Sequence, residues 1–162
     1  MKAFLKSFVY AFKGLAYPVL NERNMRVHLC CLFYMAFFLL RYDFFTVSKT
    51  QAAILALAAA LVIMAEYINT AVERAVDTAA KGEISENARI AKDTAAGAVL
   101  VAAIFAVIVG VIILFQPAAF KEMFEYYVSN PLSFVLFLIS FVAALCFMFV
   151  SPYKYLNFLR RK

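Results

Sequence analysis

Four stretches of the chain are apolar enough to read as membrane spans: about residues 27–45, 52–72, 94–115 and 132–150. A helix needs about 20 apolar residues to cross the hydrocarbon core, and each stretch is near that length. Ahead of them, residues 1–20 have a helical period. Lys2, Lys6 and Lys13 cluster on one side, and Phe4, Phe8, Phe12 and Leu15 on the other. That is the pattern of a helix lying in the membrane interface. Gly14 and Pro18 are expected to weaken it towards its end. Small residues recur every four positions at Ala52, Ala56 and Ala60, and again at Ala98, Ala102, Ala106 and Gly110. Such ladders predict close helix packing in lipid. The pattern predicts an all-α membrane protein in three parts. Residues 1–20 form a surface helix, residues 21–116 a three-span core, and residues 117–162 an extension with a fourth span and a basic tail. Between the last two spans, Ala118–Asn130 reads as a loop or short surface helix.

One span breaks its own pattern. Glu66, Asn69, Glu73 and Asp77 fall within a stripe about 80° wide at 100° per residue. A carboxylate at membrane depth is costly, so it faces a partner, a cavity or an ion. Three acids on one face also repel one another unless a cation or protons intervene. Helix–helix hydrogen bonding, the plain alternative, does not require them.

Composition adds a class and an orientation. The chain is 66% hydrophobic with mean hydropathy +0.85 and no Trp, which argues against an ordinary soluble domain. Of sixteen Lys and Arg, thirteen lie in three segments on one side: residues 1–26, the loop 74–92 and the tail after the fourth span. By the positive-inside rule that side is cytoplasmic, and it carries the acidic stripe. The basic residues are dispersed around apolar spans, so no nucleic-acid partner is expected. Cys30, Cys31 and Cys146 lie within apolar runs without ligand spacing and read as free thiols. His28, the single His, reads as an interfacial polar residue. The basic start lacks a cleavage site after a short apolar core, so no signal peptide is expected.

The chain has no phosphate-binding glycine loop, no protein-kinase signature, no Ser/His/Asp constellation and no zinc spacing. What it offers is carboxylates beside basic residues at the cytoplasmic edge of a bilayer. Carboxylates hold Mg²⁺ together with substrate phosphates, and one placed at the boundary can serve a lipid hydroxyl. A cation or proton transporter would use the same residue types. It would also need a charged path across the membrane, and the third and fourth spans contain no acid.

Four segments carry a family resemblance: FVYAFKGL at 8–15, NERNMRVHL at 21–29, EYINTAVERAVD at 66–77 and AKDTAAGAVL at 91–100. Over about residues 4–115 the chain resembles the small bacterial integral-membrane diacylglycerol kinases, with wording nearest the branch that phosphorylates undecaprenol. The resemblance implies a homotrimer in the bacterial inner membrane, with cytoplasmic active sites that draw on neighbouring subunits. It implies Mg²⁺-dependent transfer of the ATP γ-phosphate to a membrane lipid alcohol, undecaprenol first and diacylglycerol as the alternative.

By matching position, the resemblance makes Glu66 the general base, and Glu22 and Glu73 the metal and nucleotide ligands. Asn69 and Asp77 would support that site, Lys92 and Asp93 would contact the nucleotide, and Tyr10 would sit near nucleotide and lipid. Arg26 is either a lipid-phosphate contact or part of the positive-inside bias. Plainer roles stand beside these: Glu22, Glu66 and Glu73 as structural groups, Asn69 as a helix–helix hydrogen-bonder, Asp93 as the N-cap of the third span, Lys92 as a snorkelling anchor and Tyr10 as an interfacial aromatic.

The chain departs from the family twice. The stretch from Asp77 to Lys92 is one residue longer than usual and reads AAKGEIS, which aligns Glu83 with the family's nucleotide-contacting Glu and puts Ser85 where His is usual. Family chains also commonly end after the third span, whereas this one continues. The added span is expected to return the C-terminus to the cytoplasm, where it would cover the lipid-facing side of the trimer or dock a partner.

Overall fold

The computed structural model describes residues 2–80 and 85–150. The regular elements are six helices: α1 Lys2–Asn21, α2 Arg23–Arg41, α3 Lys49–Ala80, α4 Glu86–Leu114, α5 Pro117–Ser129 and α6 Pro131–Phe149. There is no strand among the described residues. Glu83 and the basic tail after the fourth span lie outside them.

The polar stripe follows from helix length. α3 has 32 residues, about 48 Å at 1.5 Å each, against a hydrocarbon core of about 30 Å. Its first 20 or so residues fill that thickness. Glu66 therefore lies just inside the far edge, with Glu73 and Asp77 beyond it. α3, α4 and α6 are each long and apolar enough to cross a membrane. α2 falls short of that mark, because Arg26, His28 and Arg41 confine its apolar stretch to Leu29–Leu40, about 18 Å.

Several boundaries differ from the sequence expectation. α1 runs on through Gly14 and Pro18 to Asn21, and the Glu22 amide still bonds to Pro18 O at 2.7 Å. α2 stops at Arg41 rather than Phe45, since Tyr42 turns extended there. Gln116 then clasps the connection: its Oε1 accepts from Thr46 N at 3.1 Å and its Nε2 donates to Thr46 O at 3.0 Å. α4 begins two turns before residue 94. Its N-cap is Ser85, whose Oγ accepts from Ala88 N at 3.1 Å, and Glu86 in the first turn suits the helix dipole. Asp93 is thus well inside α4 and caps nothing. The segment between the last two spans is a helix, α5, opened by Pro117 at its first position.

α4 packs most extensively against α3, and α2 rests on both α3 and α6. α6 runs antiparallel to α2. Phe137 meets Phe38 at 5.8 Å, Ser140 Oγ stands 3.1 Å from Tyr34 OH, and Met148 O reaches Arg26. α1 is tied to α3 where Tyr67 OH donates to Leu15 O at 2.9 Å and the Arg74 guanidinium covers the Tyr17 ring at 5.6 Å. The buried core is small, with Met25, Leu55, Val62 and Val99 at its centre. Most large apolar side chains face outward, as lipid allows. The two small-residue ladders part company: in α4 Ala98 is exposed but Ala102, Ala106 and Gly110 are half-buried, whereas Ala52, Ala56 and Ala60 of α3 are all left exposed.

Candidate active site

The site gathers where α1 passes into α2, α3 leaves the membrane and α4 begins. α3 sets its backbone. Glu66, Asn69 and Thr70 are buried, Glu73 is half-buried and Asp77 is exposed, so the stripe runs from interior to surface along one helix. Thr70 Oγ1 donates back to Glu66 O at 3.0 Å, and Asn69 Nδ2 donates to Glu73 Oε1 at 3.1 Å.

Glu66 is 2% exposed, and its neighbour is His28 of α2. His28 Nε2 stands 3.2 Å from Glu66 Oε1, close enough for an ion pair but off the hydrogen-bonding direction. Among the described residues Glu66 Oε1 and Asn69 Oδ1 have no hydrogen-bond partner. Two polar atoms stripped of water and left unsatisfied cost free energy, which marks the place where a ligand group would be welcome. The two residues help to line a cavity of about 540 Å³ whose polar lining is Arg23, Asn24, His28, Glu66 and Asn69. A second cavity of about 330 Å³ shares Val27, His28 and Ala103 with it and continues between α2, α3 and α4 past Met35 and Leu55. It is open because Ala59, Ala106 and Gly110 are small there.

Glu22 is the half-buried N-cap of α2, and its side chain makes no cap bond. Burial pushes its carboxyl above the ordinary 4.5, and the charges of Glu73 and Glu66 push it further. Arg26 and Arg74 oppose this without cancelling it. The three carboxylates therefore share one electrostatic neighbourhood, in which Arg26 and Arg74 only partly offset burial and mutual repulsion. Among the described residues no three His, Cys, Asp or Glu side chains converge as a complete metal cage.

Arg26 is 2% exposed, and its bonds go to backbone. Nη1 donates to Val19 O and Leu20 O at 3.4 and 3.3 Å, and Nε and Nη2 donate to Met148 O at 3.4 and 3.3 Å. Lys92 Nζ donates to Asp77 Oδ1 at 2.8 Å, joining α3 to α4. That hydrogen bond is the main reason its ammonium lies above its usual range. Asp93 and Tyr10 are exposed and make no side-chain hydrogen bond among the described residues.

Sequence reasoning missed His28, Tyr67 and the Tyr17–Arg74 contact. His28 was the one legible signal, since it follows Arg26 by two positions at the polar head of α2. Its partner on another helix could not be read from spacing.

Comparison with known proteins bears on this arrangement. The family model described as prokaryotic diacylglycerol kinase matches residues 9–114, from α1 to the last residue of α4. A diacylglycerol kinase of Synechocystis sp. is 42% identical over 113 residues, which is 70% of this chain and 63% of that relative. The chain thus spans less than two thirds of the relative's length. No solved structure matches. The family match contains the α3 stripe, the Glu22 junction and the Lys92 contact, and leaves α5 and α6 outside. The chain belongs to the prokaryotic diacylglycerol kinase family.

Proposed function

We infer that the protein is a lipid kinase that transfers the γ-phosphate of ATP to the hydroxyl of a membrane lipid alcohol. The observation that carries this reading is the pair of neighbouring cavities between α2, α3 and α4, one with Glu66 in its polar lining and the other apolar towards Leu55. From Glu66 to Leu55 is about 16 Å along α3, enough for the first part of a single lipid chain. Cavities so placed would hold a hydroxyl against the one carboxylate that water does not reach.

In this reading Glu66 accepts the hydroxyl proton as the alcohol oxygen bonds to the γ-phosphorus and the bond to the β-phosphate oxygen breaks, releasing ADP. His28 and Thr70 fix the helix turn that presents it, and Asn69 orients Glu73 through its 3.1 Å bond. Mg²⁺ fits Glu22 and Glu73. Such an ion would take one or both carboxylates, and it would offset the Glu73 and Glu66 charges that, after burial, hold the Glu22 carboxyl up. Such an ion supplies charge neutralisation for the phosphates. Asp77, Lys92, Asp93, Glu83 and Tyr10 complete the nucleotide side, with Lys92 held in place by Asp77.

The acceptor we favour is undecaprenol. That preference rests on the wording of NERNMRVHL and AKDTAAGAVL, which is nearest the undecaprenol branch, and diacylglycerol is the alternative. The exposed Ala52, Ala56 and Ala60 stripe of α3 suits close contact with a second copy, in keeping with a homotrimer. The sided Lys and Arg distribution supports placing this end in the cytoplasm, at the bacterial inner membrane. The test is transfer of labelled phosphate from ATP in mixed micelles containing undecaprenol, diacylglycerol or neither. Labelled undecaprenyl phosphate is expected, and no labelled lipid in any sample would overturn the reading.

A further inference from the structure

α6 lies beyond the family match, yet its C-terminal end meets the site. The last carbonyls of a helix lack intrahelical partners and carry its negative dipole end. Met148 O is one of them, and it takes two hydrogen bonds from the buried Arg26 guanidinium. Through its remaining bonds Arg26 also holds Val19 O and Leu20 O at the end of α1. One side chain thus locks α6 to the α1–α2 junction that carries Glu22. The antiparallel Tyr34–Ser140 and Phe38–Phe137 contacts fix the rest of the α2–α6 register. The lock sets Phe149 at the rim of the Glu66 cavity, where its ring lines the wall while staying 67% exposed.

We propose that the end of α6 is part of the acceptor site and that Phe149 is an acceptor-selecting residue, packing on the first carbons of a lipid alcohol whose hydroxyl points at Glu66. A ring at a rim meets the chain of the ligand and leaves the phosphates alone. It therefore acts on acceptor affinity and not on ATP.

The proposal rests on the kinase reading for its kinetic test, so a second test does not need turnover. In mixed micelles, Phe149→Ala in the full chain should raise the KM for undecaprenol roughly fivefold, as expected for part of a Phe surface losing its contact. The KM for ATP and kcat at saturating undecaprenol should stay at wild-type values, and Phe149→Leu should recover most of the loss. Because Phe149 is largely exposed, the thermal midpoint should not move. Separately, a prenol with a photoreactive diazirine beside its hydroxyl should label residues 145–150 of the wild-type chain, and undecaprenol should compete that label away. An unchanged undecaprenol KM in Phe149→Ala, or label on α2 and α3 with none on 145–150, overturns the proposal. Label on 145–150 from a chain that phosphorylates no lipid would uphold the α6 site and defeat the kinase reading instead.

Discussion

Glu66 sits where a carboxylate is least welcome, 2% exposed, with His28 at 3.2 Å and no hydrogen bond to Oε1. A base is effective when its lone pair is free and aimed at the proton it takes. Glu66→Gln keeps the shape and removes the basicity, so kcat should fall about a thousandfold while circular dichroism stays unchanged. A rate near wild type would remove Glu66 from that role. His28→Leu strips the carboxylate of its polar neighbour, and kcat should fall about tenfold with the KM for ATP intact. Glu22 gives a pH dependence. Its carboxyl is raised in the folded state, so the folded chain holds the proton more tightly than the unfolded one. The associated stability is full below the ordinary value of 4.5 and is lost as pH rises through the raised one. Metal-free protein should lose thermal stability over that interval, and Glu22→Gln should flatten the profile. A profile identical in both proteins would show that other groups set it.

The elements differ in how firmly they are joined at the site. Lys92 and Asp77 link α4 to α3 at 2.8 Å, but both side chains reach solvent, and a screened pair of that kind adds little to stability. Lys92→Met should therefore leave thermal unfolding almost unchanged while raising the KM for ATP. A large stability loss with an unchanged KM would make Lys92 a structural clip. Arg26 is the opposite case. Its removal leaves carbonyls of α1 and α6 without donors, and each buried orphan costs about 1–3 kcal/mol. Arg26→Met should lower the unfolding midpoint clearly, by the equivalent of about 2 kcal/mol or more.

At the scale of the whole molecule, the one small-residue ladder left bare belongs to α3, and α6 packs on α2 instead. Subunit contact through α3 and acceptor contact through α6 are then separable. If the proposed homotrimer forms through α3, a chain truncated after Phe115 should keep that assembly by native mass measurement yet bind the proposed lipid alcohol more weakly. A truncated chain that runs as a monomer would move the subunit contact to α5 or α6.

The sequence by itself determined the class, the helices and the stripe. Hydrophobic runs near bilayer length, a basic bias to one side and polar residues three, four and four positions apart are local, periodic facts, so helical geometry alone places Glu66, Asn69, Glu73 and Asp77 on one face. Boundaries were less legible. Pro18 fails to end α1, and Ser85 rather than Asp93 caps α4, because a neighbouring polar group decides which backbone ends are satisfied. Only the tertiary structure decided what faces the stripe. Spacing within a helix says nothing of the rotation of the next, so the His28–Glu66 contact, the Arg26 lock on Met148 and the bare α3 ladder emerge only when packing sets how the helices turn towards one another.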